Sequence, residues 1–256
     1  MATKKQKLKL TLAYDGRPFS GWQSQPNGDT VQDALHTAIS EIAKQPVLIH
    51  GSGRTDAGVH AEGQVAHFEP PPEIDMNPYN WVPALNTKLP PSIRILDCAE
   101  VPDDFHARFS AKEKTYLYDL CLAPILHPHM HGRAWHLPRQ LDPVSLEQAL
   151  EHYLGEHCFR AFAANRGNET EDTEYTRTIT RSDYQIHGDG YRITFTGNGF
   201  MYKMVRLLTG AAVQAAQGRL RLDDHLALLD QPDNLPHGKS PYCAPPDGLS
   251  LLEVRY

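Results

Sequence analysis

The sequence predicts an α+β fold of two similar halves, each an antiparallel or mixed sheet with helices on one face. Three observations predict it. Short runs of alternating hydrophobicity recur along the chain, stretches of helical period follow them in both halves, and a break near residues 102–112 separates the two series. The halves are placed at 1–108 and 109–256.

In the first half, KLKLTLAY (7–14) alternates strictly and puts Leu8, Leu10, Leu12 and Tyr14 on one face of a half-buried strand. TVQDALHTAISEIAKQ follows as a helix. Thr30 is its N-cap, Asp33 lies in its first turn, and Val31, Leu35, Ala38, Ile39 and Ile42 recur at helical spacing. Strands are expected near Val47–Ile49, at QVAHF and at SIRILDCAEV. In the second half, KTYLYDLCL alternates and groups Tyr116, Tyr118, Leu120 and Leu122. LDPVSLEQALEHYLG is a helix with Asp142 as N-cap, Pro143 at its first position and Gly155 as its stop. TRTITRSDYQIHGDGYRITFTG is a hairpin, FMYKMVRLLTGAAVQAAQG a helix ending at Gly218, and LSLLEVRY a closing strand. The stretch NRGNETEDTEYT (165–176) is polar enough to be a mobile loop.

Composition narrows the function. At 256 residues, 40% of them hydrophobic, the chain has material for a sizeable core. No run of eighteen apolar residues exists to cross a membrane, and MATKKQKLKLTLAYDG lacks the apolar centre of a secretory signal. Cys98, Cys121, Cys158 and Cys243 form no CxxC pair, so reduced, buried thiols in a cytoplasmic protein are expected. The net charge is −6, and the residues before Ser110 carry 10 basic against 13 acidic side chains. Neither half is a basic domain, so nucleic-acid binding requires a local stripe of charge.

The stretch with the most chemistry is HGSGRTDAGVHAEGQVAHFEP (50–70). It lacks the lysine of a phosphate-binding GxxxxGK[ST] loop, and Asp56 stands where a dinucleotide fingerprint needs glycine. A carboxylate at the tip repels phosphate. Glycines at 51, 53 and 58 permit backbone conformations closed to other residues, which suits a loop that aims Asp56. Arg54 or another arginine can pair with it and keep it ionised, as a nucleophile or base requires. On these grounds alone, an aspartate that merely caps its own turn stands as an equal reading.

The same stretch resembles the active-site motif of the tRNA pseudouridine synthase A family. Five further segments resemble that family in order: LAYDGRPFSGWQSQPNGDTVQDAL, VPALNTKLPPSIRI, VPDDFHARFSAKEKTYLYDL, GNGFMYKMVRLLTG and APPDGLSLLEVRY. The resemblance implies the pseudouridine synthase fold, with the two sheets meeting at a central RNA-binding cleft. It also implies an isomerase that converts uridine to pseudouridine in the tRNA anticodon arm, without a cofactor and as a homodimer. By that resemblance Asp56 is the catalytic aspartate. Arg54 engages the flipped nucleotide or its phosphate. Tyr116 stacks on the target uracil and is a candidate to take the proton from C5, and Arg206 pairs with the catalytic carboxylate. Flipping a base out of its stack costs a few kcal/mol, which contacts to RNA must recover. His106, Arg108, Lys112, Lys114, Arg177 and Arg181 are the candidates. His127, His129, His131 and His136 match no helical zinc spacing, so no metal is expected. The rival readings are a tRNA-folding chaperone without catalysis and a metal hydrolase built on those histidines.

Overall fold

The computed structural model describes residues 6–165, 167, 169–170, 172–230 and 239–256. The chain forms two compact units, Met1–Lys112 together with Ser250–Tyr256, and Glu113–Leu249. The closing strand, Leu249–Arg255, thus contributes nearly all its residues to the first unit, although the sequence pattern places it with the second half. Its pairing explains this: Ser250 and Leu251 lie parallel to His60 and Ala61.

The first unit contains β1 (Lys7–Tyr14), α1 (Val31–Ala43), β2 (Ile49–Gly51), β3 (His60–Phe68), α2 (Pro78–Lys88) and β4 (Ile93–Val101). β1 lies between β3 and β4, antiparallel to both. β2 pairs with the far end of β3, whose other end receives the closing strand. In β1 the expected alternation holds: Leu8, Leu10, Leu12 and Tyr14 are buried and the residues between them half-buried, as in a sheet covered on one face. Each fully buried leucine contributes about 2 kcal/mol. Thr30 caps α1, its hydroxyl oxygen accepting the Asp33 N–H at 3.2 Å. The sequence pattern contains no counterpart of α2, because Pro83 falls inside it; Pro78 takes the first helical position after Asn77, as Pro143 does in α3. Asn77 caps it by accepting the Tyr79 N–H at 2.9 Å. Trp81 and Leu85, four apart, are fully buried, and Trp81 meets Phe68 edge-on at 5.0 Å.

The second unit contains β5 (Glu113–Cys121), β6 (Trp135–His136), α3 (Pro143–Glu151), β7 (Gly155–Cys158), β8 (Thr176–His187), β9 (Gly190–Gly197), α4 (Met204–Ala216) and α5 (Leu222–Asp230). β5, β9, β8 and β7 pair antiparallel in that order, and β6 runs parallel to the end of β5. Thr115 to Tyr118 are all buried, so β5 is covered on both faces and not on the single face its alternation suggests. Gly155 does not stop α3, which ends at Glu151; it opens β7 with a φ of 99°. α4 is buried at every position except Arg206 and Gln214. It begins at Met204, after Lys203 turns the chain at a φ of 58°, so Tyr202 lies in the preceding turn and not on the helix beside Arg206. All four cysteines are free; Cys98 and Cys121 are buried as expected, whereas Cys158 and Cys243 are exposed. Arg166, Asn168 and Glu171 of the polar 165–176 stretch lie outside the described residues.

α3, α4 and α5 meet at a buried polar knot. The Tyr153 hydroxyl donates to Leu208 O at 2.9 Å and stands 2.6 Å from His225 Nε2, while His225 Nδ1 stands 3.1 Å from His152 Nδ1. Burial, with His152 adding to it, pushes the His225 imidazole down to about 3 from the usual 6.5. A histidine whose pKa is depressed by folding binds its proton more readily in the unfolded chain. The stability it confers is therefore complete above pH 6.5 and is lost as pH falls from there toward 3. Conformational stability is expected to fall on acidification through this window by up to about 1.4 kcal/mol per pH unit for this group. Denaturant midpoints measured against pH check it, and His225→Gln is expected to flatten the profile.

Candidate active site

The Asp56 loop is built from hydrogen bonds that end on its neighbours. Ser52 N–H donates to Val65 O at 2.7 Å, and the Ser52 hydroxyl to Gln64 Oε1 at 2.6 Å. The Gln64 amide donates to Gly53 O at 3.2 Å, so a single buried side chain grips the loop's entry. Thr55 is held on two sides: its hydroxyl lies 2.8 Å from the Tyr14 hydroxyl, and its carbonyl accepts the Trp22 N–H at 3.0 Å. Burial raises the Tyr14 phenol to about 12, so it remains a neutral hydrogen-bonding group. Val59 N–H closes the turn on Asp56 O at 3.1 Å.

The glycines that seat Asp56 lie both inside and outside the motif. Of Gly51, Gly53 and Gly58, only Gly58 has a positive φ, at 80°. Gly51 serves differently: a Cβ there would lie 2.5 Å from the Trp22 indole. The decisive pair comes from the turn after β1. Gly16 presses on Val59, whose carbonyl oxygen would lie 2.1 Å from an added Cβ. Gly21, at a φ of 96°, backs onto the loop, where an added Cβ would lie 2.7 Å from Thr55 O and 3.2 Å from the Asp56 carbonyl carbon. That turn is rigid. Asp15 accepts the Arg17 guanidinium and backbone N–H, and this partner holds its carboxyl down near 2. Gly16 N–H meanwhile donates to His60 Nδ1 at 3.2 Å. Arg54 is exposed, and its Nε donates to Gln23 Oε1 at 3.1 Å.

In the second unit, Tyr116 is 8% exposed on β5 and meets Phe200 edge-on at 5.1 Å. Tyr118 is fully buried; its hydroxyl donates to Pro245 O at 2.7 Å, and burial holds it protonated. Arg206 Nε donates to Ala244 O at 2.8 Å, and Ala244 N–H returns a bond to Arg206 O at 3.0 Å. The segment carrying Ala244 lies close on α4 because residue 210 is glycine: a Cβ there would stand 2.3 Å from Tyr242 O. Its start is anchored by Lys239, which donates to Ala163 O at 2.6 Å and lies 5.4 Å from the Tyr175 ring. One edge of the Arg206 guanidinium is therefore fixed by backbone.

The candidate RNA contacts are of unequal character. Arg108 and Lys112 are exposed and His106 is half-buried. Lys114 pairs with Gly197 in the β5–β9 ladder. Arg177 folds back on Thr176 O at 2.5 Å, and Arg181 is already matched by Asp183 at 2.7 Å on its own strand. His127 Nδ1 accepts the His129 N–H at 3.3 Å, and His136 Nε2 bonds Ala123 O at 2.8 Å. Among the described residues no group of three histidine, cysteine or carboxylate side chains is arranged to hold a metal. Sequence reasoning missed Gly16, Gly21, Gln64 and the Ala244 carbonyl; the signal for the first two was present in YDGRPFSGW, where two glycines flank one turn.

Comparison with known proteins finds relatives over almost the whole chain. The tRNA pseudouridine synthase family model matches residues 11–110 and 149–256. A protein of Akkermansia muciniphila named tRNA pseudouridine synthase A is 51% identical over 253 residues, covering 98% of this chain and 95% of that relative. A namesake from Methylacidiphilum infernorum is 40% identical, with 97% of this chain and 94% of the relative covered. Another from a Geobacillus species is 38% identical, with 98% of each covered. The chain belongs to the tRNA pseudouridine synthase family.

Proposed function

We propose that this protein isomerises uridine to pseudouridine in the anticodon arm of tRNA, around positions 38 to 40, on a nucleotide flipped out of its stack. The observation that carries the reading is the seating of Asp56: a carboxylate on a loop fixed at both ends, in a chain of this family. In the reaction the N1–C1′ bond breaks, the uracil turns, and a C5–C1′ bond forms. The C5 proton leaves and N1 gains one, so no redox partner, hydrolytic water or cofactor is consumed. Asp56 is the essential carboxylate. Tyr116 offers a ring to stack on uracil and a hydroxyl for the C5 proton, and Arg206 supplies a positive charge to the reaction. Arg54, with His106, Arg108, Lys112, Lys114, Arg177 and Arg181, engages the RNA. The enzyme acts in the cytoplasm, as a homodimer.

The intact protein, incubated with unmodified tRNA tritiated at uridine C5, is expected to release label to water. Asp56→Ala is expected to lower release by at least about 10³-fold, the scale of a positioned nucleophile or acid–base group, while tRNA affinity changes little. Absence of release from several unmodified tRNAs would overturn the reading, and refolding of tRNA without release would favour the chaperone.

The seating itself is testable. Gly21→Ala introduces a Cβ 2.7 Å from Thr55 O at a φ of 96°. The displaced loop is expected to cost about 10²-fold in kcat, as small misplacements of a catalytic group do. Gly28→Ala, at a φ of 75° with open space around it, carries the same backbone strain without the clash and is expected to retain kcat. Single-turnover rates for the two variants make the comparison.

A further inference from the structure

The segment after β4 joins β2 and β3 in an aromatic and cationic cluster within the first unit. His50 of β2 stacks on His67 of β3 at 5.0 Å, His67 meets His106 at 4.7 Å, and His106 lies 4.4 Å from Phe109. His67 is buried inside the cluster, whereas His50 and Phe109 are exposed, Phe109 to 76%. The Arg108 guanidinium stands 5.6 Å from the Phe109 ring centre.

Hydrogen bonding fixes the protons on two imidazoles. His67 Nδ1 accepts the Ala107 N–H at 3.1 Å, and His106 Nδ1 accepts the Arg108 N–H at 3.1 Å. Each ring therefore carries its proton on Nε2, and the His106 ring presents a neutral N–H donor held by backbone. The charge around the cluster is mainly positive. Lys7 of β1 donates to the carbonyls of Phe105 and Asp103, and the groups that depress His106 are His50, Lys7 and Arg108, after burial. Of the nearby carboxylates, Glu69 lies 3.6 Å from Lys7, and Asp103 and Asp104 are exposed at the start of the segment. From the closing strand's end, Tyr256 donates its hydroxyl to Ala107 O at 2.8 Å and packs on Phe105 at 4.9 Å.

An exposed aromatic face flanked by a guanidinium and a fixed N–H donor matches the two ends of a nucleotide. The base is planar and stacks on any aromatic ring; the phosphate takes charge-assisted hydrogen bonds. We propose that Phe109, Arg108 and His106 form a contact for one unpaired nucleotide of the bound RNA, the base on Phe109 and its phosphate on Arg108 and the His106 Nε2–H. The inference rests on the tRNA reading above and adds to it the chemistry of one contact, with Phe109 as a stacking residue.

The test uses the full chain carrying Asp56→Ala, titrated with an unmodified anticodon-arm RNA hairpin at several salt concentrations and followed by fluorescence anisotropy. Phe109→Ala is expected to weaken binding about tenfold with the salt slope unchanged, since a stacked base releases no counterion. Arg108→Gln is expected to weaken binding and reduce the slope of log K against log salt by about one. His106→Asn, which retains an acceptor where Nδ1 stands, is expected to weaken binding without altering the slope. Thermal midpoints of all three variants are compared first, so that a lost fold is not read as a lost contact. Affinities within about twofold of the parent in all three variants overturn the proposal. So does a change of sedimentation mass in Phe109→Ala with RNA affinity intact, which would assign the face to a second copy of the chain. Tritium release by the unsubstituted protein separates the two readings: release with unaffected variants sinks this contact alone, and no release sinks the tRNA reading beneath it.

Discussion

The Asp56 loop depends on the absence of two β-carbons. Gly16 and Gly21 let the turn after β1 lie backbone to backbone against Thr55, Asp56 and Val59, closer than any side chain would allow. Such close approach makes the loop rigid. Tyr14 reaches the Thr55 hydroxyl, Trp22 N–H reaches its carbonyl, and Gln64 holds Gly53. An aspartate so placed has little conformational freedom left to lose when a substrate arrives, which is what preorganisation means for a charged group. The loop's own glycines act beside them: Gly58 turns at a φ of 80° and Gly51 clears the Trp22 indole.

The second unit solves a similar problem by the same means. Gly210 admits the Tyr242 carbonyl to within a distance that a methyl group would forbid, and the segment beyond it fixes Arg206 through Ala244 in both directions. The Tyr118 hydroxyl adds a hold one residue further on, at Pro245. A guanidinium has five N–H donors in a fixed fork, so tying Nε to backbone sets the direction of the other four. Backbone carbonyls here act as templates for charge, and small residues on α4 make them reachable.

Much of this was legible from the residues. Strict alternation marked β1, and Thr30 and Asp142 marked helix starts where their side chains accept backbone N–H groups. What escaped had physical causes. α2 was hidden by Pro83, which lowers local helix propensity while Trp81 and Leu85 supply the burial that overrides it. β5 alternates in sequence yet is buried on both faces, because alternation reports polarity and not what covers each face. The roles of Gly16, Gly21 and Gly210 are close approaches between segments distant in sequence, and no local pattern encodes a distance. The motif identified the aspartate; only three dimensions identified its mount.

A net charge of −6 sets a condition on any protein that binds RNA. Long-range attraction is weak or adverse, so affinity has to come from contacts that work at short range. Several of the chain's cations are committed already: Arg17 to Asp15, Arg181 to Asp183, Arg192 to Asp119, Lys239 to backbone carbonyls. Bonds of that kind orient structure and contribute little to a field felt at a distance. Rings and neutral N–H donors are not penalised by surrounding acids in the same way, and stacking is nearly indifferent to salt. A protein of this composition is therefore driven toward recognition by aromatic faces and oriented donors, with a few well-placed guanidiniums, in preference to a broad basic surface. The row of rings ending at Phe109 is what that constraint leads one to look for.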